Sequence, residues 1–105
     1  MKLMTKQIER KLEKYPICSQ DEKGQEAEVV VKYFGGCAST WLITEGEKQP
    51  DGDWLLFGYM TIGYGYEWGY VMLSDLEGLR LPPFGLGVER DLYCGTGRKV
   101  KELLQ

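Results

Sequence analysis

Glu89, Arg90 and Asp91 occupy consecutive positions, and this acid–arginine–acid run comes nearer to a reaction centre than any other pattern in the chain. On a strand, Glu89 and Asp91 would share one face and Arg90 would take the other. Two carboxylates on one face repel each other, which raises one of the two pKa values and makes an acid–base pair. The competing reading is structural: Arg90 pairs with a carboxylate such as Asp75 or Glu77, while the two acids cap turns or face water. The chain has no histidine, so a nucleophile would need a lysine or a carboxylate as its base. No serine or cysteine sits in a nucleophile-elbow motif. The expectation is a protein that is not an enzyme, with an enzyme using Glu89, Arg90 and Asp91 as the alternative.

Aromatic side chains are the second resource. Trp41, Trp54, Trp68, Tyr59, Tyr64, Tyr66 and Tyr70 fall on adjacent predicted strands or the turn between them. Buried, they pack across strands. Exposed, they anchor a protein partner or stack nucleobases at ~1–3 kcal/mol per base. The tryptophans are expected mainly in the core, and Tyr64 and Tyr66, at a turn, at the surface. The candidate binding residues are therefore Tyr64, Tyr66, Trp68, Glu89, Arg90 and Asp91, and the turn over 64–68 with the acidic loop over 46–53 is expected to form the contact.

Charge bears on the partner. The formal net charge is −3, from 13 basic and 16 acidic residues. Positive charge collects near the two ends, and the middle is acidic: Glu45, Glu47, Asp51, Asp53, Glu67, Asp75, Glu77, Glu89 and Asp91 face only Lys48, Arg80 and Arg90. Acids beside aromatics suit a protein partner with a basic patch and disfavour a nucleic-acid backbone. Single-strand binding by the aromatics, helped by Lys6, Arg10 and Lys14, is the alternative, and its affinity would fall steeply with salt.

No cofactor or metal is expected. Asp51-Gly52-Asp53 resembles part of a calcium loop, but the position of the bidentate glutamate holds Ile62. Cys18, Cys37 and Cys94 form no CxxC pair, and zinc would have to use three thiols and carboxylates, outside its usual ligand sets. Gly85-Leu86-Gly87 lacks the third glycine of a dinucleotide loop and leads into a strand, and the P-loop lysine pattern is missing. An odd number of widely spaced cysteines suits reduced thiols in a cytoplasm. The charged N-terminal stretch does not read as a signal peptide, and no apolar run reaches the ~20 residues of a membrane span.

These groups must be positioned by a single domain of 105 residues. Met4, Ile8, Leu12 and Tyr15 recur at helical spacing, Thr5 can cap the start and Pro16 lies past the end, which predicts a helix over 5–14. Strands are predicted over 28–34, 39–45, 54–62, 66–73 and 88–93. Gly35-Gly36 and Gly63-Tyr64-Gly65 are read as turns, and Gly46 as the start of a polar loop. The third strand is apolar on both faces, and in the fourth Tyr66, Trp68, Tyr70 and Met72 share a face. Ser74-Asp75-Leu76-Glu77 fits a capping box for a short helix, and Thr96 can cap a final helix reaching Leu104. The expected fold is α+β: an antiparallel β-meander of about four to five strands with an N-terminal helix, a short middle helix and a C-terminal helix. A free strand edge could pair two chains, and the oligomeric state is left open.

Several segments occur here in one order: Met-Lys-Leu-Met-Thr-Lys, Val-Val-Val-Lys-Tyr-Phe, Ser-Thr-Trp-Leu-Ile-Thr-Glu, Phe-Gly-Tyr, Glu-Trp-Gly-Tyr, Leu-Ser-Asp-Leu-Glu and Gly-Val-Glu-Arg-Asp-Leu-Tyr. As a set they resemble the domain of unknown function 2958 family over nearly the whole chain. The resemblance implies a small bacterial protein of the kind often carried on conjugative elements, plasmids and phages. It brings no catalytic residues with it. Gly63-Tyr64-Gly65-Tyr66 and Leu81-Pro82-Pro83 are local departures, so a surface built from those loops transfers least.

Overall fold

The computed structural model describes residues 2–36, 38–82, 84–92 and 97–104. Thr5 opens the first helix, α1 (Lys6–Lys14), by accepting the Ile8 N–H on its hydroxyl at 3.2 Å. The Tyr15 N–H donates to the Leu12 carbonyl and ends it, just before Pro16. Strands β1 (Val31–Gly35), β2 (Ser39–Lys48), β3 (Trp54–Thr61) and β4 (Glu67–Met72) follow, then helix α2 (Leu73–Gly78). Two-residue strands β5 (Arg80–Leu81) and β6 (Leu86–Gly87) pair with each other, and β7 (Glu89–Arg90) returns to the main sheet. That sheet is antiparallel with spatial order β4-β3-β2-β1-β7. Short 3₁₀ turns span Gly24–Glu26 and Val100–Leu103. Among the described residues, no helix is long and apolar enough to cross a membrane.

The sheet has a helical face and a second face. On the first, Val31, Tyr33, Trp41, Ile43, Trp54 and Leu56 pack beneath Ile8 and Leu12 of α1 and Leu73 and Leu76 of α2. Gly46 makes the close approach of α1 possible, because a Cβ there would lie 3.0 Å from methyls of both Leu12 and Leu56. On the second face, Ala27, Val29, Leu42 and Val100 form a smaller cluster, with Tyr59, Tyr66, Leu103 and Leu104 at its margin.

One bulge decides which acid points where. Ile43 pairs with Gly58, but the next partner of β3, Phe57, pairs with Glu45, so Thr44 is the extra residue. Strict alternation would have put Glu45 on the core face beside Ile43. The bulge turns it to the second face, where both carboxylate oxygens are used. They accept the backbone N–H of Cys18 at 2.7 Å and of Gln20 at 2.9 Å. The bulge also forbids a side chain opposite, since a Cβ on Gly58 would sit 2.0 Å from the Leu42 carbonyl oxygen.

Four expectations are corrected. Among the described residues the expected C-terminal helix is not seen, only the 3₁₀ turn Val100–Leu103. Its proposed cap, Thr96, lies outside the described residues. The backbone ahead of that turn is spent on pairing: Val29 donates to Arg98, Glu28 bridges Lys99, and Val100 donates to Ala27. Ser74 does not cap α2, which begins one residue earlier; its hydroxyl donates to the Asp53 carboxylate instead. Gly46 is a buried residue of β2 rather than the start of a loop. The strand expected over 88–93 is reduced to Glu89–Arg90, with Tyr93 outside the described residues.

Candidate functional site

The residues that could meet another molecule collect on β3 and β4. Alternation places Leu55, Phe57 and Tyr59 on the second face of β3, and the register sets Tyr70 beside Phe57 and Trp68 beside Tyr59. The rings touch in a chain. Tyr66 stacks on Tyr59 at 5.0 Å between centroids, Tyr59 meets Trp68 at 4.7 Å, Trp68 stacks on Phe57 at 5.7 Å, and Phe57 meets Tyr70 at 4.8 Å. Such cross-strand pairs add roughly 0.5–1.5 kcal/mol each beyond burial and hold the rings in place. The C-terminal turn packs on this face over Leu42 of β2 and reaches Tyr59 and Tyr66. The outer half stays open: Trp68 is 39% exposed and Tyr70 57%.

Tyr64, at the tip of the β3–β4 turn, is 95% exposed. Gly63 and Gly65 flank it with φ of 114° and 133°, a backbone region that favours glycine. The Thr61 hydroxyl accepts the N–H of both glycines and braces the turn. On the helical side of this turn lies a cleft of about 450 Å³, bounded by Trp41, Met60, Ile62, Tyr64 and Glu67. Trp41 and Trp54 are buried, so Trp68 is the tryptophan at the surface.

Glu89, Arg90 and Asp91 do not join these aromatics. β7 and β4 are the two opposite margins of the sheet, four strand spacings or roughly 19 Å apart. Arg90 lies opposite Tyr33 on the core face, and Glu89 lies opposite Phe34 and is exposed. Asp91 reaches Lys32 at 3.5 Å and donates its N–H to the Lys32 carbonyl. Burial pushes the Tyr33 hydroxyl far above its usual range; the Arg90 guanidinium opposes this shift and the Glu77 carboxylate adds to it. Arg90 and Asp91 line a cleft of about 320 Å³ with Thr5, Ile8 and Lys11 of α1, but Glu89 is not part of it. Nor do the turn over 62–66 and the segment over 49–53 form one contact, because they cap opposite ends of β3.

Two further groups were candidates for chemistry. Asp53 is engaged by the Ser74 hydroxyl and by the N–H groups of Trp54 and Ser74, which hold its carboxyl below the usual range. Cys18 is exposed with φ of 76°, and the neighbouring Asp21 carboxylate pushes its thiol up, the opposite of nucleophile activation. Cys37 and Cys94 lie outside the described residues. Sequence reasoning left Phe57, Tyr59 and Tyr70 out of the binding set. The signal for them was the two-residue period of β3 and β4, which sets them on one face with Trp68, whereas Trp68 itself entered the set as part of the 64–68 turn.

The family model described as a protein of unknown function (DUF2958) matches residues 3–105. The chain belongs to that family. The DUF2958 match spans both the aromatic row and the β7 segment, so it covers each of the candidate surfaces. No curated protein and no solved structure matches the chain.

Proposed function

We propose that this DUF2958 protein is a non-enzymatic binding module that engages a protein partner through the open aromatic half of its sheet. The observation that carries the reading is the row Tyr66–Tyr59–Trp68–Phe57–Tyr70, whose rings support one another while Trp68 and Tyr70 stay accessible. Rigid, half-exposed aromatics on a regular element supply contact area at little entropic cost. The expected setting is bacterial, cytoplasmic and on a mobile element, in keeping with the family resemblance and the unpaired cysteine count.

Charge favours protein over nucleic acid. α1, with Lys6, Arg10 and Lys14, packs on the other side of the sheet from the aromatic row. Those cations are therefore not placed to track a strand stacked on the rings. On the row's own face, Glu47 lies opposite Leu55 and Glu45 opposite Phe57, and Lys99 and Lys101 of the C-terminal turn are paired with Glu26. Affinity capture from nuclease-treated host lysate tests the reading, comparing wild type with a Trp68→Ala/Tyr70→Ala variant of unchanged fold. Loss of a specific protein in the variant supports it. Equal capture by both forms, or nucleic acid as the sole species captured from a parallel untreated lysate, overturns it.

A further inference from the structure

β4 is an edge, and an unguarded one. It pairs only with β3, and among the described residues no backbone hydrogen bond reaches it from any other element. Every second residue of β4 thus turns its N–H and C=O away from the sheet. Sheet edges are usually blunted by charged side chains, lysine above all, by proline, a bulge or very short length, and Glu67 is the one charge on β4. β4 has six residues with no lysine, no proline and no register shift against β3. The opposite edge, β7, is two residues long and so is blunted by length.

The two faces of this edge differ in chemistry. On the second face stand Trp68 and Tyr70, already seated on Phe57. On the helical face stand Glu67, opposite Met60, and Gly69 and Val71 beyond it. The Glu67 carboxylate has no hydrogen bond or ion pair among the described residues, and it borders the cleft shared with Trp41, Met60 and Tyr64. A Cβ added at Gly69 would meet only the Met60 sulfur within 4 Å, at 3.9 Å, so the helical face at the middle of β4 is uncrowded.

We infer that β4 accepts an extended segment of the partner protein as a sixth strand. The segment alternates apolar residues, which lie beside Trp68 and Tyr70, with basic residues, one of which meets Glu67 at the aromatic cleft. Main-chain hydrogen bonds to the free side of β4 supply affinity, and the alternating side chains supply selectivity. Aromatic walls beside a carboxylate suit a guanidinium or ammonium group, which gains both ion pairing and cation–π attraction. This inference rests on the proposed protein-binding function and names how the partner docks.

The test uses the full chain and a blocked peptide of alternating arginine and valine, seven residues long, with a glutamate-for-arginine peptide as control. The expected result is saturable binding of the basic peptide and slowed amide exchange confined to residues 67–72 and their β3 partners. Glu67→Gln is expected to weaken binding about two- to five-fold, the range for a partly exposed pair, and the acidic peptide is expected not to bind. Several results would overturn strand addition: no binding of the basic peptide, equal binding of both peptides, exchange protection elsewhere, or a dimer of this chain joined through β4. If Trp68→Ala abolishes capture of the cellular partner while Glu67→Gln and the β4 amides are unaffected, the aromatic face stands as the binding site and strand addition fails.

Discussion

Trp68 lies nearly parallel to Phe57, with 5.7 Å between ring centroids and 12° between planes, yet 39% of it remains exposed. Its position is therefore set from beneath, by a neighbour on β3, while its outer face stays free. Trp68→Ala is expected to cost at most about 2 kcal/mol of stability, the size of a lost aromatic pair plus partial burial. Partner capture is expected to drop by more than ten-fold. Denaturant unfolding checks the first value and quantitative capture the second.

Glu45 and Gln20 tie the segment after α1 to the bulge of β2. Gln20 donates from Nε2 to the carbonyls of Thr44 at 2.7 Å and Glu28 at 2.9 Å, and accepts the Glu28 N–H at 2.8 Å. Glu45 accepts from Cys18 and Gln20. Gln20→Ala and Glu45→Ala each leave buried backbone groups unsatisfied and are expected to cost about 2–4 kcal/mol. The double variant should lose less than the sum, because both serve the same segment. A double-mutant cycle from chemical denaturation measures this.

Gly58 and Gly69 face each other across β3 and β4, but only one is required. Gly58→Ala drives a methyl into the Leu42 carbonyl, and about 3 kcal/mol or more is expected to be lost. Gly69→Ala meets ordinary contact distance and should change stability by less than about 1 kcal/mol. Thermal unfolding of the two variants side by side checks the contrast.

Charge adds to the backbone pairing and apolar packing that hold the C-terminal turn. Glu26 accepts from both Lys101 and Lys99, and these contacts hold its carboxyl below the ordinary glutamate value of 4.5. A lowered folded pKa means that the contribution is present above the unfolded value and is lost as pH falls through the folded one. Amides at 100–103 are therefore expected to exchange at neutral pH at rates that Glu26→Gln accelerates. That difference should fade as pH drops below the ordinary value and through the lowered folded one, where Glu26 is protonated in both states. Salt should reduce it as well, because the pairs are exposed.

Much of the aromatic face was legible before the structure, for a physical reason. Period-two alternation put Tyr66, Trp68, Tyr70 and Met72 on one side of β4, and Leu55, Phe57 and Tyr59 on one side of β3. The register then set these two rows against each other. Which of two apolar faces is left open was not legible, because that depends on where α1 and the C-terminal turn pack. Val29, Val30 and Val31 hid a break in alternation: Val29 joins the second-face cluster while Val30 and Val31 both join the first. Identical side chains carry no signal for such a slip. Ser74 matched a capping pattern, but Asp53, distant in sequence, takes its hydroxyl.

The central claim is that the open half of the sheet, centred on Trp68 and Tyr70, is where this protein meets its partner. Amide exchange on the captured complex tests it most directly. The account predicts protection, relative to the free protein, across residues 57–59 and 66–72, with the β7 margin around Glu89 and Arg90 unchanged. Protection centred on β7 and the α1 cleft, with residues 66–72 exchanging as in the free protein, would contradict it.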